Sequence, residues 1–482
     1  MSSRTQSSRH GGIVAVLLLA QLMATMDNSI VAVATATIER DLDTSGAMIQ
    51  LVMAGYTLAF AAVVITGARL GDEYGHRRVF SIGLVGFTCA SLLCGVVPDA
   101  GSLVAARLLQ GGFGALMVPQ VLSLIQILLS GPARARAISL YSLVLALGVA
   151  FGQIIGGVLV NADLFGLSWR TIFLVNVPIG VALAGVVLLA MPRDEEAERT
   201  RLDLVGSGVL LLTMSAVVAP LSLGRDAGWP VWTWIALAAG AVGCVYFVRH
   251  EKALQARGGQ PLLDLNVLKP RGVAAGLLAC CILNFAYAGT IFTLTLHLQT
   301  GLDYSSLRAG LTFLPYPVGF ATASLLWTRL PESVKRALPT VGIAAFAAGG
   351  AGLILVVRDG WPTVPGIVLL LICGASHAAA FSPLVDQAAE AAGPRFASAI
   401  SALVSTGTLF ASALSVSAIG GVYLSMRAAG HSSAVSFSTG FAVVVVLLAV
   451  AVLCAWQVRQ AAGTAQQVRA VEPETGQPTS AT

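Results

Sequence analysis

Residues 13–38 read IVAVLLLAQLMATMDNSIVAVATATI, an apolar run broken by one acid, Asp27. At ~1.5 Å per residue, Asp27 falls roughly 20 Å along the run, which places it at membrane depth. An ionisable side chain there costs several kcal/mol and faces a water-filled path or a partner. The fourth apolar run carries the opposite charge, Arg107, within SLVAARLLQGGFGALMVPQ. Nearly every other charge falls between the runs. A buried acid and a buried base in an otherwise neutral bundle suggest proton-coupled transport. The bland alternatives are a carboxyl held neutral as a structural hydrogen-bond partner, and an arginine that clamps helix-one carbonyls or Gln110. Gln21, Thr25, Asn28 and Ser29 give the first run a broad polar face, which favours the functional reading.

Composition sets the class. The chain is 56% hydrophobic and 11% charged, with a mean hydropathy of +0.83. Soluble domains carry about 25% charged residues, so an all-α integral membrane protein is expected. Fourteen apolar runs of spanning length are centred near Gln21, Leu58, Ala90, Phe113, Ala150, Ala184, Leu212, Ala239, Tyr287, Phe320, Phe346, Cys373, Ala411 and Leu447. With a cytoplasmic N-terminus, 21 Lys and Arg fall inside and 6 outside, with Arg107 in the membrane. The positive-inside rule therefore supports fourteen spans with both termini cytoplasmic. The net charge of +5 belongs to those inner loops. No basic patch with interleaved aromatics points to nucleic acid.

The first run is too long for a cleavable signal peptide and carries Asp27. The seven cysteines lie in or beside apolar runs without ligand spacing, so neither disulfides nor a metal site is expected. The expected organisation is an N-terminal tail (1–11), a six-helix bundle (12–191), a cytoplasmic linker (192–203) and two extra helices (204–248). A second linker (249–271), a second six-helix bundle (272–458) and a disordered cytoplasmic tail (459–482) follow. A short repeat supports two halves. Arg69-Leu70-x-Asp72 in the loop after the second run matches Arg329-Leu330-x-Glu332 in the loop after the tenth. A basic pair follows each, Arg77-Arg78 and Lys335-Arg336. If the extra pair is an insertion, the repeat is parallel, about an axis along the membrane normal.

Several motifs resemble one family. Ala68-Arg69-Leu70-Gly71-Asp72-Glu73-Tyr74-Gly75-His76-Arg77-Arg78 is similar to the loop signature G-x-L-x-D-x-x-G-R-R of the major facilitator superfamily. Arg107-Leu108-Leu109-Gln110-Gly111-Gly112-Phe113-Gly114-Ala115 is similar to its fourth-helix signature. Met26-Asp27-Asn28-Ser29 partly keeps the first-helix signature, but Ala32 stands where the family has Asn. In Gly148-Val149-Ala150-Phe151-Gly152-Gln153-Ile154-Ile155-Gly156-Gly157, Gln153 replaces the proline of the fifth-helix antiporter signature. Trp169-Arg170-Thr171-Ile172-Phe173-Leu174-Val175-Asn176-Val177-Pro178-Ile179-Gly180 is very close to the W-R-x-I-F-x-x-N-V-P-x-G of fourteen-helix drug:proton antiporters. Ser306-Leu307-Arg308-Ala309-Gly310-Leu311, with Pro315 beyond, resembles their later half. The resemblance covers about Ile13 to Trp456.

The resemblance implies two six-helix bundles plus two extra central helices. It also implies export of amphiphilic or hydrophobic small molecules, drugs or antibiotics, by alternating access. Asp27 and Arg107 are then the proton-coupling pair. Asp72, Arg77 and Arg78 form a conformational latch, against the bland reading of a solvated basic turn. Gly148, Gly152, Gly156 and Gly157 belong to the antiporter glycine helix; the face of the first three meets the opposite half in the family and closes the cytoplasmic side. Asn28, Gln110, Phe113, Gln153, Phe285 and His297 are candidates for a greasy cavity; core packing competes for each. His377 lies in a C-terminal run as a second buried histidine. No G-x-x-x-x-G-K-[ST] loop is found, so no nucleotide and no cofactor are expected, and the proton gradient supplies the drive. The expected partners are a small-molecule substrate, protons and the bilayer, with the chain a monomer. An importer of the same fold, a passive channel and a polytopic enzyme are the alternatives. The enzyme would need a His, Asp or Cys cluster at a membrane face that the sequence does not display.

Overall fold

The computed structural model describes residues 2–129, 131–191, 203–259, 261–357, 360–393 and 396–471. They form helices, with no strand among the described residues. The first half comprises α1 (Ser2–Asp41), α2 (Gly46–Tyr74), α3 (His76–Val96), α4 (Ala100–Leu128), α5 (Gly131–Ala162), α6 (Thr171–Leu174) and α7 (Asn176–Ala190). α8 (Leu204–Leu223) and α9 (Val231–Ala256) are the extra pair. The second half comprises α10 (Val273–Leu296), α11 (Ser306–Phe313), α12 (Pro315–Leu326), α13 (Glu332–Val356), α14 (Thr363–Ala392), α15 (Ala397–Ala428) and α16 (Ser433–Val471). Thirteen spans among the described residues are long and apolar enough to cross a membrane. α5 is helical over its whole length, and Phe151–Ala162 is its described apolar part.

Local chemistry sets the boundaries. Ser45, Asp99, Asp203 and Ser305 each accept a hydrogen bond from a backbone N–H in the first turn of α2, α4, α8 and α11. Such caps satisfy amides that the helix itself leaves open. Pro178 has no N–H for the carbonyl of Leu174, and there the sixth span divides into α6 and α7. Pro315 divides α11 from α12 in the same way. Gly75 turns the chain from α2 into α3 at φ 94°, a conformation that disfavours any side chain. α1 begins at Ser2, so the expected tail of residues 1–11 continues the first helix, and α16 runs beyond the boundary expected at 459. Most of the first linker, residues 192–202, lies outside the described residues, as do residues 472–482.

Each half has its own apolar core. Phe80, Phe87, Leu84, Met117 and Leu17 anchor the first, and Phe292, Phe313, Phe346, Phe437 and Phe441 the second. The two halves repeat one another in detail. A Cβ built on Gly111 of α4 would collide with the carbonyl oxygen of Tyr56 on α2. One on Gly374 of α14 would collide with that of Tyr316 on α12. Tyr56 and Tyr316, like Arg69 and Arg329, are separated by the same length of chain, so the short sequence repeat extends into the packing.

α8 packs against both α2 and α15. Ser222 donates to Ser417 on α15 at 2.7 Å, and the hydroxyls of Ser207 and Thr66 on α2 pair. α8 thus spans the seam between the halves. α9 turns Val231, Trp234, Ile235, Val242 and Tyr246 outward, an apolar surface suited to lipid.

Close approaches between the halves cluster toward the end that carries the α1–α2, α5–α6, α10–α11 and α15–α16 connections. Gln299 donates to the carbonyl of Val33 at 2.8 Å. Gly310 sits on the Gln153 carbonyl, Gly157 on the backbone of Leu307, Gly46 on Leu424, and Gly420 beside the Gln50 amide. Thr406 reaches the Ala61 carbonyl at 3.3 Å nearer mid-depth.

Candidate functional site

Asp27 is 0% exposed and is met by donors from two other helices. Arg107 Nη1 on α4 donates to its Oδ2 at 2.6 Å. Gln110 Nε2, also on α4, donates to Oδ1 at 2.8 Å, and Asn176 Nδ2 on α7 donates to the same oxygen at 2.7 Å. Gln110 is one helical turn after Arg107, so both face α1. The partners are themselves fixed. Arg107 Nη1 also donates to Gln110 Oε1 at 2.7 Å and Gln110 Nε2 to Ser91 Oγ on α3 at 2.8 Å. The Arg107 guanidinium lies 4.4 Å from the Tyr56 ring centroid and 5.7 Å from that of Phe173. Every hydrogen bond to the carboxyl comes from a donor, so the arrangement matches the acceptor-only, ionised form.

The sequence reading paired Asp27 with Arg107, and the structure brings them into contact. Gln110 was expected in a substrate cavity; it belongs to this network instead. Asn176, Ser91 and Tyr56 were not singled out. The signal for Asn176 was present in the W-R…N-V-P motif, whose parts hold different partners. Trp169 Nε1 donates to Asp41 Oδ2 at 2.7 Å and Arg170 Nη1 to the same oxygen at 2.5 Å. The segment 169–176 therefore holds two of the three acids of α1, Asp41 at its end and Asp27 near its middle. Serine and tyrosine gave no signal because they are common in any apolar helix.

The remaining cavity candidates do not converge on one place. Phe113 packs against Gly86 of α3, within the first half. Gln153 is buried, its backbone carbonyl lies against Gly310 of α11, and its Oε1 has no hydrogen-bond partner among the described residues. Phe285 is half-buried against the second core, and its carbonyl accepts from Ser415. His297 is buried where α10 ends in a wider π turn, 3.0 Å from Ser433 Oγ through Nδ1. The side chain of Asn28 lies outside the described residues. At the seam, Gln50 and Gln299 are buried polar residues that the sequence reading did not select.

The glycine face needs a correction. A Cβ on Gly148 would meet Thr25 at 2.7 Å, one on Gly152 the Met26 carbonyl at 2.5 Å, and one on Gly156 Ile30 at 2.6 Å. This face therefore packs on α1 of its own half and not on the opposite half. Only Gly157, a quarter-turn away, touches the other half, with a Cβ position 2.5 Å from the Leu307 Cα. A four-residue glycine spacing specifies close approach and says nothing of the partner.

At the latch, Asp72 is 64% exposed on its side chain and lies 3.4 Å from His76 Nε2. His76 Nδ1 pairs with Gln120 Oε1 at 2.7 Å, and Gln120 Nε2 donates to the Gly67 carbonyl at 2.7 Å. Arg77 donates to the carbonyls of Leu188 at 3.2 Å and Val187 at 3.4 Å, the favoured place for a cation at the end of α7. Arg78 lies in the first turn of α3 and is also engaged. Asp72 and Arg77 thus belong to one turn but hold different partners.

The repeat places a contrasting site in the second half. Tyr287 stands where Asp27 stands, and its ring stacks on Tyr316 at 5.1 Å. His377 of α14, three residues after Gly374, bonds Tyr316 Oη through Nδ1 at 2.6 Å. Its counterpart in the first half is Gly114, whose Cβ position lies 3.0 Å from Tyr56 Oη. Phe320, Phe346 and Phe381 surround the imidazole. One half carries a charge pair where the other carries an aromatic box.

Comparison with known proteins agrees with this architecture. Residues 17–416 match the Major Facilitator Superfamily. The chain is 38% identical over 369 residues to the probable actinorhodin transporter of Streptomyces coelicolor, a match covering 75% of this chain and 64% of that protein's length. It is 33% identical over 477 residues to the puromycin resistance protein pur8 of Streptomyces alboniger, covering 93% and 91%. Among solved structures, a bacterial homolog of the human lysosomal transporter Spinster, inward-facing and unoccupied, superposes with a TM-score of 0.68 at 16% identity, covering 95% of this chain and 98% of that one. With its buried Asp27–Arg107 pair, its repeated halves and a family match across most of its length, the chain belongs to the major facilitator superfamily, a family of transporters and not of enzymes.

Proposed function

We propose that this chain is a proton-driven exporter of amphiphilic or aromatic small molecules, antibiotics among them. It works as a monomer in the cell membrane with fourteen spans, α5 included, and with both termini cytoplasmic. Relatives named for actinorhodin transport and puromycin resistance support the substrate class. The observation that carries the reading is the fully buried Asp27 carboxylate, held by Arg107, Gln110 and Asn176.

With the positive-inside orientation, the clustered contacts between the halves lie on the outer side, so the structure corresponds to an inward-open state. In this state Asp27 is ionised and the α1–α4–α7 network is complete. A proton on Asp27 would set an O–H against the Arg107 donor at Oδ2, or against the two amide donors at Oδ1, and weaken the network. The helices of the first half are then free to settle differently against α10–α15. A proton can bias the two states only by its different affinity for Asp27 in each. Gradient energy, about 2.3 kcal/mol per charge per 100 mV from the potential alone, then drives drug outward without nucleotide or other cofactor. Phe285, Tyr287 and the His377 box offer flat apolar faces for an aromatic substrate.

The test is drug-stimulated proton flux in proteoliposomes with an imposed pH gradient. Flux of a planar antibiotic that depends on the gradient, and is lost in Asp27→Asn, supports the proposal. Flux indifferent to the gradient overturns it.

A further inference from the structure

At the foot of the extra helix pair, three metal-ligating side chains converge. Asp203 caps α8, and His250 and Glu251, far from it in sequence, sit near the end of α9. Their donor atoms all lie within 4.8 Å of one another. His250 Nε2 is 3.1 Å from Asp203 Oδ1 and 3.2 Å from Oδ2. Gly206 marks where the two carboxylates meet. A Cβ there would collide with Asp203 Oδ2 and lie 2.9 Å from Glu251 Oε1.

Each carboxylate is oriented by one backbone amide. Gly206 N donates to Asp203 Oδ1 at 2.7 Å, and Leu263 N donates to Glu251 Oε2 at 2.7 Å. That leaves Asp203 Oδ2 and Glu251 Oε1 directed at the common point. Glu251 is 1% exposed, and its Oε1 has no hydrogen-bond partner among the described residues. A buried carboxylate oxygen with no donor, beside a second carboxylate, calls for a cation. Arg69 of α2 is close enough to interact electrostatically with both acids, and it donates a hydrogen bond to the Pro261 carbonyl at 2.5 Å. The occupant that competes with a metal is one proton shared between the two acids, which are within hydrogen-bonding reach of each other.

We propose that Asp203, His250 and Glu251 bind one divalent transition-metal cation, which ties the start of α8, the end of α9 and the linker at Leu263 together. One imidazole nitrogen and two carboxylate oxygens suit a borderline ion of the zinc class. Ligand atoms around such an ion stand about 3.0–3.5 Å apart, so the widest separation, up to 4.8 Å, needs to close by roughly 1.3–1.8 Å. The backbone donors from Gly206 and Leu263 are the outer supports that such ligands use. A metal on His250 Nε2 takes the place of the hydrogen bond between that nitrogen and Asp203. The site is far from Asp27 along the chain and takes no part in its network. It makes the extra helices a clamp at the end of the seam that α8 covers between α2 and α15.

The test uses the full chain, untagged and in detergent, with Zn²⁺ as the probe. Calorimetric titration should show one Zn²⁺ per chain. Zn²⁺ should also protect the linker 249–271 from limited proteolysis. His250→Ala, at a partly exposed position, and Glu251→Gln should each weaken Zn²⁺ binding by about 10- to 100-fold or more and abolish the protection. Monodispersity on size exclusion checks that the variants fold; should Glu251→Gln fail it, His250→Ala decides. Absence of saturable one-to-one binding in the parent protein overturns the proposal, as does unchanged affinity in His250→Ala. A parent that ignores Zn²⁺ but loses linker protection with rising pH, an effect removed by Glu251→Gln, also overturns it and assigns the place to the shared proton.

Discussion

Asp27→Asn is the substitution that the geometry constrains most. Oδ2 accepts from Arg107, while Oδ1 accepts from both Gln110 and Asn176. An asparagine has one acceptor oxygen and one donor amide. With its oxygen at the Oδ1 position it keeps the two amide contacts, and its NH₂ then faces the guanidinium. The reverse orientation opposes two donors at once, so the first is preferred. Arg107 is then a buried cation whose counter-charge is gone. Breaking one partner of a buried pair costs about 3–5 kcal/mol. Part of that is offset by contacts Arg107 retains: Gln110 Oε1 at 2.7 Å, the Val52 carbonyl at 3.4 Å and the Tyr56 ring. A net loss of about 2–4 kcal/mol follows. Asp27→Asn should therefore lower the thermal midpoint in detergent and abolish uphill drug transport in vesicles, while downhill drug exchange survives. Adding Arg107→Met removes the stranded charge. The double variant should recover most of the stability and none of the proton-driven transport. Near-normal uphill transport by Asp27→Asn would remove the carboxyl from the mechanism. A double variant no more stable than the single would refute the stranded-charge argument.

The other expectations are more local. Gly152→Leu forces bulk against the Met26 carbonyl and Ser29 of α1 and should cost at least about 1–3 kcal/mol, read as loss of folded yield. Gly157→Leu instead presses on the Leu307 backbone between the halves and should shift the protein toward outward-open, read as reduced labelling of cysteines placed at the cytoplasmic mouth; unchanged labelling would count against that closure. Asp72→Asn should leave stability within about 0.5 kcal/mol, since Asp72 is largely exposed, yet slow turnover strongly with substrate binding still measurable; lost binding with normal turnover would place Asp72 in the binding site. Trp169→Phe deletes the donor to Asp41 and should destabilise by about 1–3 kcal/mol by thermal melt, with Arg170 still holding the acid.

Sequence alone was enough for the class and for half of the site. Burial of charge in a bilayer is so unfavourable that Asp27 and Arg107 stand out without any structure, and their mutual attraction makes each the natural partner of the other. Apolar length and the Lys/Arg asymmetry predict the spans because the membrane imposes one thickness and one sign on every helix. The loop pair Arg69…Asp72 and Arg329…Glu332 announced a repeat that the packing of Gly111 and Gly374 on equivalent tyrosines then extended. Tertiary structure decided what depends on which helices touch. Gln110 left the expected cavity for the Asp27 network because its side chain shares a face with Arg107. Asn176 and Ser91 joined that network because neutral polar residues acquire a role only from the charge they meet. The glycine face of α5 turned to α1, since small residues permit an approach without choosing its partner. Asp203, separated from His250 and Glu251 by a whole helical hairpin, became their neighbour only when α8 and α9 folded back on each other, a proximity that no local spacing in the chain encodes.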